Sequence, residues 1–172
     1  NGSYLKRRAS LHLGLKRHLK SWIKRGIAMK KDLSGKLTLD TGALIELIFS
    51  TPSGVKLKED LKSGSVEANA TELNIAELRY ILCRKLGPTE SNQRVDKLLA
   101  SGYINVEDVS PLILEASKYK CERAISLAVC FTLASAQRSI SRATFAKKEK
   151  DLIAEMRRKP FDVQIVFLKD QE

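Results

Sequence analysis

Three acidic residues stand where this chain could put carboxylates to chemical use. Asp40 closes the short apolar stretch "KLTL" and precedes "TGALIELIF", at the end of an expected strand and the start of an expected helix. Glu77 sits among apolar neighbours in "ELNIAELRYIL", and Glu149 follows another expected strand in "FAKKEKDL", with Asp151 two positions on. Carboxylates gathered in one place repel one another unless a cation or protons join them. Hard divalent cations take such oxygens at roughly 2.0–2.6 Å. The expectation is that Asp40, Glu77 and Glu149 converge within reach of one ion, while Glu46 lies on the exposed side of the helix after Asp40.

Residues so far apart need a scaffold that returns the chain to one edge. Strand and helix signals alternate from Lys36 onward. Strands are expected at 36–40, 65–71, 103–109, 143–147 and 163–168. Between them come a helix at 41–49, a turn at 51–54, and helices at 55–64, 72–86 and 90–101. A further helix opens with Ser110-Pro111, and two more are expected at 126–137 and 148–159. Gly87-Pro88 stops the longest, whose apolar side carries Ile75, Leu78, Ile81 and Leu82. The alternation indicates an α/β domain with a mainly parallel sheet. Sites in such sheets lie outside the carboxyl ends of the strands, where Asp40 stands.

With 172 residues and 43% hydrophobic content the chain can bury a core. Its apolar run from Ala124 to Ala136 is too short to cross a bilayer and reads as a core helix. Cys83, Cys121 and Cys130 are odd in number and match no metal or redox spacing, which points to reduced thiols and a cytoplasmic setting. His12 and His18 fall on opposite sides of a helix, against a metal role. Residues 1–36 hold eleven Lys and Arg against Asp32 alone, so they carry +10 of the formal +11. Leu11, Leu15, Leu19, Trp22 and Ile23 form one apolar stripe there. Residues 1–35 are thus read as a basic amphipathic helical arm, suited to phosphate backbones or an anionic membrane surface, and 36–172 as the domain. The opening Asn1-Gly2-Ser3 reads as a cloning remnant, with Met29 as an alternative start.

In order and spacing, "LDTGALIELI", "IAELRYILCRKLG", "AISLAVCFTLASA" and "FAKKEKDL" followed by "PFDVQIVFL" resemble the PIN domain, specifically the VapC-type toxin nucleases of archaea and bacteria, over about residues 36–169. The resemblance implies a PIN-like three-layer α/β fold with a mainly parallel central sheet flanked by helices. It also implies an endoribonuclease dependent on Mg²⁺ or Mn²⁺. It assigns Asp40, Glu77 and Glu149 as the catalytic and metal-binding acids, with Glu149 where aspartate is more usual. The family's remaining acid stands in a pattern similar to "SLADCF"; this chain reads "SLAVCF", with Val129 in the acidic position and Glu122 ahead of that helix. Valine can neither ligate a metal nor orient a water, so weakened or silenced cleavage is expected.

Arg79, Arg84, Lys85, Arg123, Lys147 and Lys148 surround the acidic segments and are read as RNA phosphate contacts. Thr41, as helix cap, and Asp151 are read as supports. The resemblance further implies an RNA substrate, a homodimer and a small antitoxin that inserts into the acidic groove. Two alternatives stay open: a PIN domain that binds RNA or a protein without cutting, and a basic-arm adaptor for nucleic acid or membrane.

Overall fold

A computed structural model describes residues 33–171. Residues 1–32, with the arm's apolar stripe and both histidines, lie outside the described residues. From Gly35 the chain forms β1 (Gly35–Leu39), α1 (Thr41–Phe49), α2 (Pro52–Ser63), β2 (Val66–Thr71), α3 (Glu72–Leu86), α4 (Pro88–Ala100) and β3 (Ile104–Glu107). After a 3₁₀ turn at Ser110–Leu112 come α5 (Ile113–Glu122), α6 (Leu127–Arg138), β4 (Arg142–Phe145), α7 (Lys150–Arg158) and β5 (Ile165–Phe167), closed by a 3₁₀ turn at Leu168–Gln171.

The five strands run in the order β3-β2-β1-β4-β5, and all four pairings are parallel. The sheet is therefore wholly, not mainly, parallel. Parallel neighbours need a crossover long enough to return the chain, and helices supply each one. Leu37 and Leu39 of β1 share one buried cluster with Leu44, Leu57, Leu78, Leu82 and Val95, from α1 to α4. Ala143 and Phe145 of β4 share a second with Tyr119, Val129, Leu133 and Leu152, from α5 to α7. Leu33, 3% exposed, joins the first cluster, so the core reaches slightly ahead of residue 36.

Two local expectations are corrected. The turn expected at 51–54 is the first turn of α2: Thr51 caps it through Gly54 N at 3.2 Å, and Pro52 takes a position that needs no N–H. A Cβ on Gly54 would meet Glu46 O at 1.9 Å, so only glycine allows α2 this close to α1. Ser110-Pro111 opens the 3₁₀ turn, and α5 starts at Ile113. Among the described residues no helix is long and apolar enough to cross a membrane, and Cys83, Cys121 and Cys130 are free.

The strand order positions the site. From β1 the chain steps outward through β2 to β3, then returns to the opposite side of β1 as β4. That reversal opens a crevice at the carboxyl ends of β1 and β4, where open α/β sheets hold ligands. Asp40 follows β1 and Glu149 follows β4.

Candidate active site

Asp40 is fixed by backbone before its side chain acts. Its N–H donates to Thr144 O of β4 at 2.9 Å, and its carbonyl accepts from Leu44 N at 3.1 Å as α1 begins. Asp40, not Thr41, is the N-cap: Oδ2 accepts from Gly42 N at 3.1 Å. The residue is 6% exposed. Burial, and then the carboxylates of Glu149 and Glu77, push its pKa from 3.8 up to about 6, against the hydrogen bonds from Gly42 and Thr132. The two other acids assigned to the site thus lie near enough for their charge to act on Asp40.

Glu77 is half-buried on α3, where its Oε2 accepts from the Thr41 hydroxyl at 2.6 Å. Glu149 is exposed and is the N-cap residue of α7. Among the described residues, no three or more His, Cys, Asp or Glu side chains gather closely enough to hold a metal. The tight three-carboxylate convergence expected from sequence is absent. Exposure leaves the Glu149 side chain in water, and Glu77 is drawn to Thr41. Mg²⁺ commonly takes one or two protein carboxylates, with waters and substrate phosphates completing its shell. The donor set fits such an open, water-rich site and not a closed cage.

Polar residues that sequence reading passed over tie the acids together. Asn74, fully buried, donates from Nδ2 to Thr41 Oγ1 at 3.2 Å and to Thr132 Oγ1 at 3.1 Å. Thr132 donates to Asp40 Oδ1 at 3.2 Å. Thr71 caps α3 and forms a capping box with Asn74, foreshadowed only by "TELN" at 71–74. Val129 is 5% exposed at the third position of α6, with its N–H donating to the capping Ser126 Oγ at 3.2 Å. It stands one helical turn before Thr132, among the apolar side chains of the second cluster.

The family model for the PIN domain matches residues 37–163. The chain belongs to the PIN domain family. Solved structures of similar fold include VapBC2 from Rickettsia felis bound to a promoter DNA fragment, with 14% identity, a TM-score of 0.60 and coverage of 77% of this chain and 98% of that one. VapC20 of Mycobacterium tuberculosis, a sarcin–ricin loop cleaving toxin, gives 16% identity, a TM-score of 0.55 and coverage of 69% and 94%. A toxin–antitoxin complex from Klebsiella pneumoniae gives 16%, 0.53, 77% and 97%. At these identities the likeness is one of fold. No curated protein sequence matches the chain.

In this PIN domain the six cations read as phosphate contacts have separate surroundings. Arg123 is 6% exposed: it donates to the carbonyls of Lys159 at 2.7 Å and Pro160 at 2.9 Å, and its guanidinium lies 3.9 Å from the Phe161 ring centroid. It is held inside the fold and cannot meet RNA, because its donors close the end of α7. Arg79 pairs with Asp96 at 2.6 Å and ties α3 to α4. Lys85 lies 5.9 Å from the Phe49 ring, at the opposite end of α1 from Asp40, and Arg84 lies over Tyr80. Arg94, which also lies over Phe49, lines a groove of about 600 Å³ with Leu47, Lys58, Lys97 and Leu98. Lys147 and Lys148 are exposed beside Glu149, with Lys148 paired to Asp170 at 2.7 Å. Asp151 is exposed in the first turn of α7, and Glu122 pairs with Lys159 at 3.2 Å. Glu46 is not a free surface acid: Thr51, Ser53 and Lys169 all hold its carboxylate.

Proposed function

We propose that this PIN domain is a metal-dependent endoribonuclease of the VapC toxin type, with its activity held down by Val129. The observation that carries the reading is the buried Asp40 at the sheet's crevice, its proton affinity raised by burial and by Glu149 and Glu77. Asp40 and Glu149 would hold Mg²⁺ or Mn²⁺, with Glu77 oriented by Thr41 beside them. When bound, such an ion supplies Lewis acidity at a phosphoryl oxygen and a more acidic water. The α1 N-terminus and the Thr132 hydroxyl hold Asp40 in one orientation. Lys147 and Lys148, the cations adjoining Glu149, would receive RNA phosphates. Val129 offers no oxygen to an ion or to an attacking water.

Toxin–antitoxin complexes among the structural neighbours support an antitoxin protein as partner. RNA as substrate, a homodimer and a cytoplasmic setting complete the proposal. A PIN domain that binds RNA or a protein without cutting is the second reading, favoured by the burial of Val129 among apolar side chains. Incubation with mixed RNAs in Mn²⁺, Mg²⁺ or chelator tests both. Cleavage lost with chelator and in Asp40→Asn is expected. RNA binding without cleavage would favour the second reading, and cleavage indifferent to both changes would reject the site.

A further inference from the structure

We propose that Asn74 is a positioning residue that, through two threonine hydroxyls, holds Asp40 and Glu77 in the orientation the site uses. The inference rests on the metal-site reading above but concerns a residue that touches neither substrate nor ion.

The orientation of the Asn74 amide follows from its neighbours. Its Oδ1 lies 3.2 Å from the N–H of Thr71, which can only donate, so this end must be the oxygen. The Thr71 hydroxyl, at 2.6 Å, donates to the same oxygen and accepts from Asn74 N at 3.2 Å. Nδ2 is therefore committed to the other side, where it gives one hydrogen to Thr41 and one to Thr132. Each hydroxyl, having accepted, retains a single hydrogen to give. Thr41 directs its hydrogen to Glu77 and Thr132 to Asp40. The Ala128 carbonyl at 3.1 Å and Asn74's own Oδ1 at 3.4 Å compete with Asp40 for the single Thr132 hydrogen, and the Asn74 carbonyl at 3.5 Å competes with Glu77 for that of Thr41. The carboxylates, being charged, are the stronger acceptors. Asn74, Thr41 and Thr132 are all buried, so water is not available to replace a lost partner. One amide thus sets the hydrogen-bond direction at two acids on different elements.

The test uses the full chain with Asn74→Leu, which keeps the branched shape and removes the donors, and Thr132→Val as a milder second variant. Mn²⁺ affinity is read by calorimetry. Methyl couplings of Thr41 and Thr132, recorded without metal, report whether each hydroxyl keeps one rotamer. In Asn74→Leu a 10–100-fold loss of Mn²⁺ affinity is expected, as for other residues behind metal ligands, together with rotamer averaging at both threonines. In the Thr132→Val background the effect of Asn74→Leu should shrink several-fold, because the two act through the same hydroxyl. A melting-temperature drop with unchanged Mn²⁺ affinity and fixed threonine rotamers would show a merely structural Asn74 and overturn the inference. If the unaltered chain takes up no Mn²⁺, the metal-site reading fails, and the metal-free rotamers alone decide the positioning role: fixed rotamers in Asn74→Leu reject it. Should Asn74→Leu not fold, Thr132→Val must by itself lower Mn²⁺ affinity and leave Thr41 fixed, or the inference falls.

Discussion

Thr132 gives its hydroxyl hydrogen to Asp40 Oδ1 across 3.2 Å, bridging 92 positions of the chain. The contact joins the start of α1 to the middle of α6, one helical turn after Val129. It also keeps Asp40 from being an isolated buried charge, which would be far more costly.

Asp40 still destabilises the metal-free fold. Its pKa is raised from 3.8 to about 6, so the folded state binds a proton more tightly than the unfolded chain, and stability falls as pH rises through that window. At roughly 1.4 kcal/mol per tenfold change in proton affinity, the cost at pH 7 is about 3 kcal/mol. Asp40→Asn should therefore melt at a higher temperature than the unaltered protein at pH 7 with chelator. That advantage should fade toward pH 4, and Mn²⁺ should no longer stabilise the variant. An Asp40→Asn melt no higher at pH 7 than at pH 4, each relative to the unaltered protein, would refute the argument.

Val129→Asp places a carboxylate in the first turn of α6, where the helix N-terminus favours negative charge. Valine and aspartate are close in size, so the cost is that of burying a carboxyl group, which without metal takes up a proton and then costs about 1–3 kcal/mol as a neutral polar group. Thermal melts should show this loss, with Mn²⁺ recovering much of it and metal-dependent RNA cleavage rising well above the starting protein. An unrecovered loss with no new cleavage would make Val129 a packing residue only.

Ile140 holds a left-handed backbone at φ 51° with its side chain 92% exposed, in the connection from α6 to β4. A β-branched residue pays about 1–2 kcal/mol for that conformation, which glycine adopts freely. Ile140→Gly should raise stability by about 1 kcal/mol, while Ile140→Ala should change it little. Chemical denaturation of the three proteins provides the comparison.

Glu155 gives the opposite pH response from Asp40. Hydrogen bonds from Arg158 at 2.9 and 2.6 Å, then from Ala124 N, hold its carboxyl below the usual range. Its contribution is present above about pH 4.5 and is lost as pH falls through the lowered value. Glu155→Gln should destabilise the domain at pH 7 and much less at pH 3. Equal losses at both pH values would assign the effect to packing.

The strand–helix alternation was legible because burial imposes a period of two on strands and 3.6 on helices, whatever their tertiary partners. Asp40 was legible as an acid breaking an apolar stretch at a strand's end. Asn74 and Thr132 were not, because a buried amide or hydroxyl has no sequence periodicity and its role depends on the partner it meets. Arg123 misled for a related reason: charge beside an acidic segment resembles a phosphate contact until Phe161 and the carbonyls beyond α7 enclose it. Glu46 misled too, because Lys169, which pairs with it, lies far along the chain.

The central place of β1, between β2 and β4, also affects the protein during its synthesis. One of its edges waits for residues 142–145, more than a hundred positions downstream, so much of the fold forms only through long loop closures. On a translating ribosome, Asp40 would remain in water, with the low proton affinity of a solvated acid, until α6 and the segment carrying Glu149 had emerged. A nascent chain lacking those segments therefore cannot bury Asp40 or bring Glu149 to it, and the candidate site is assembled only once residues through about Glu149 have emerged.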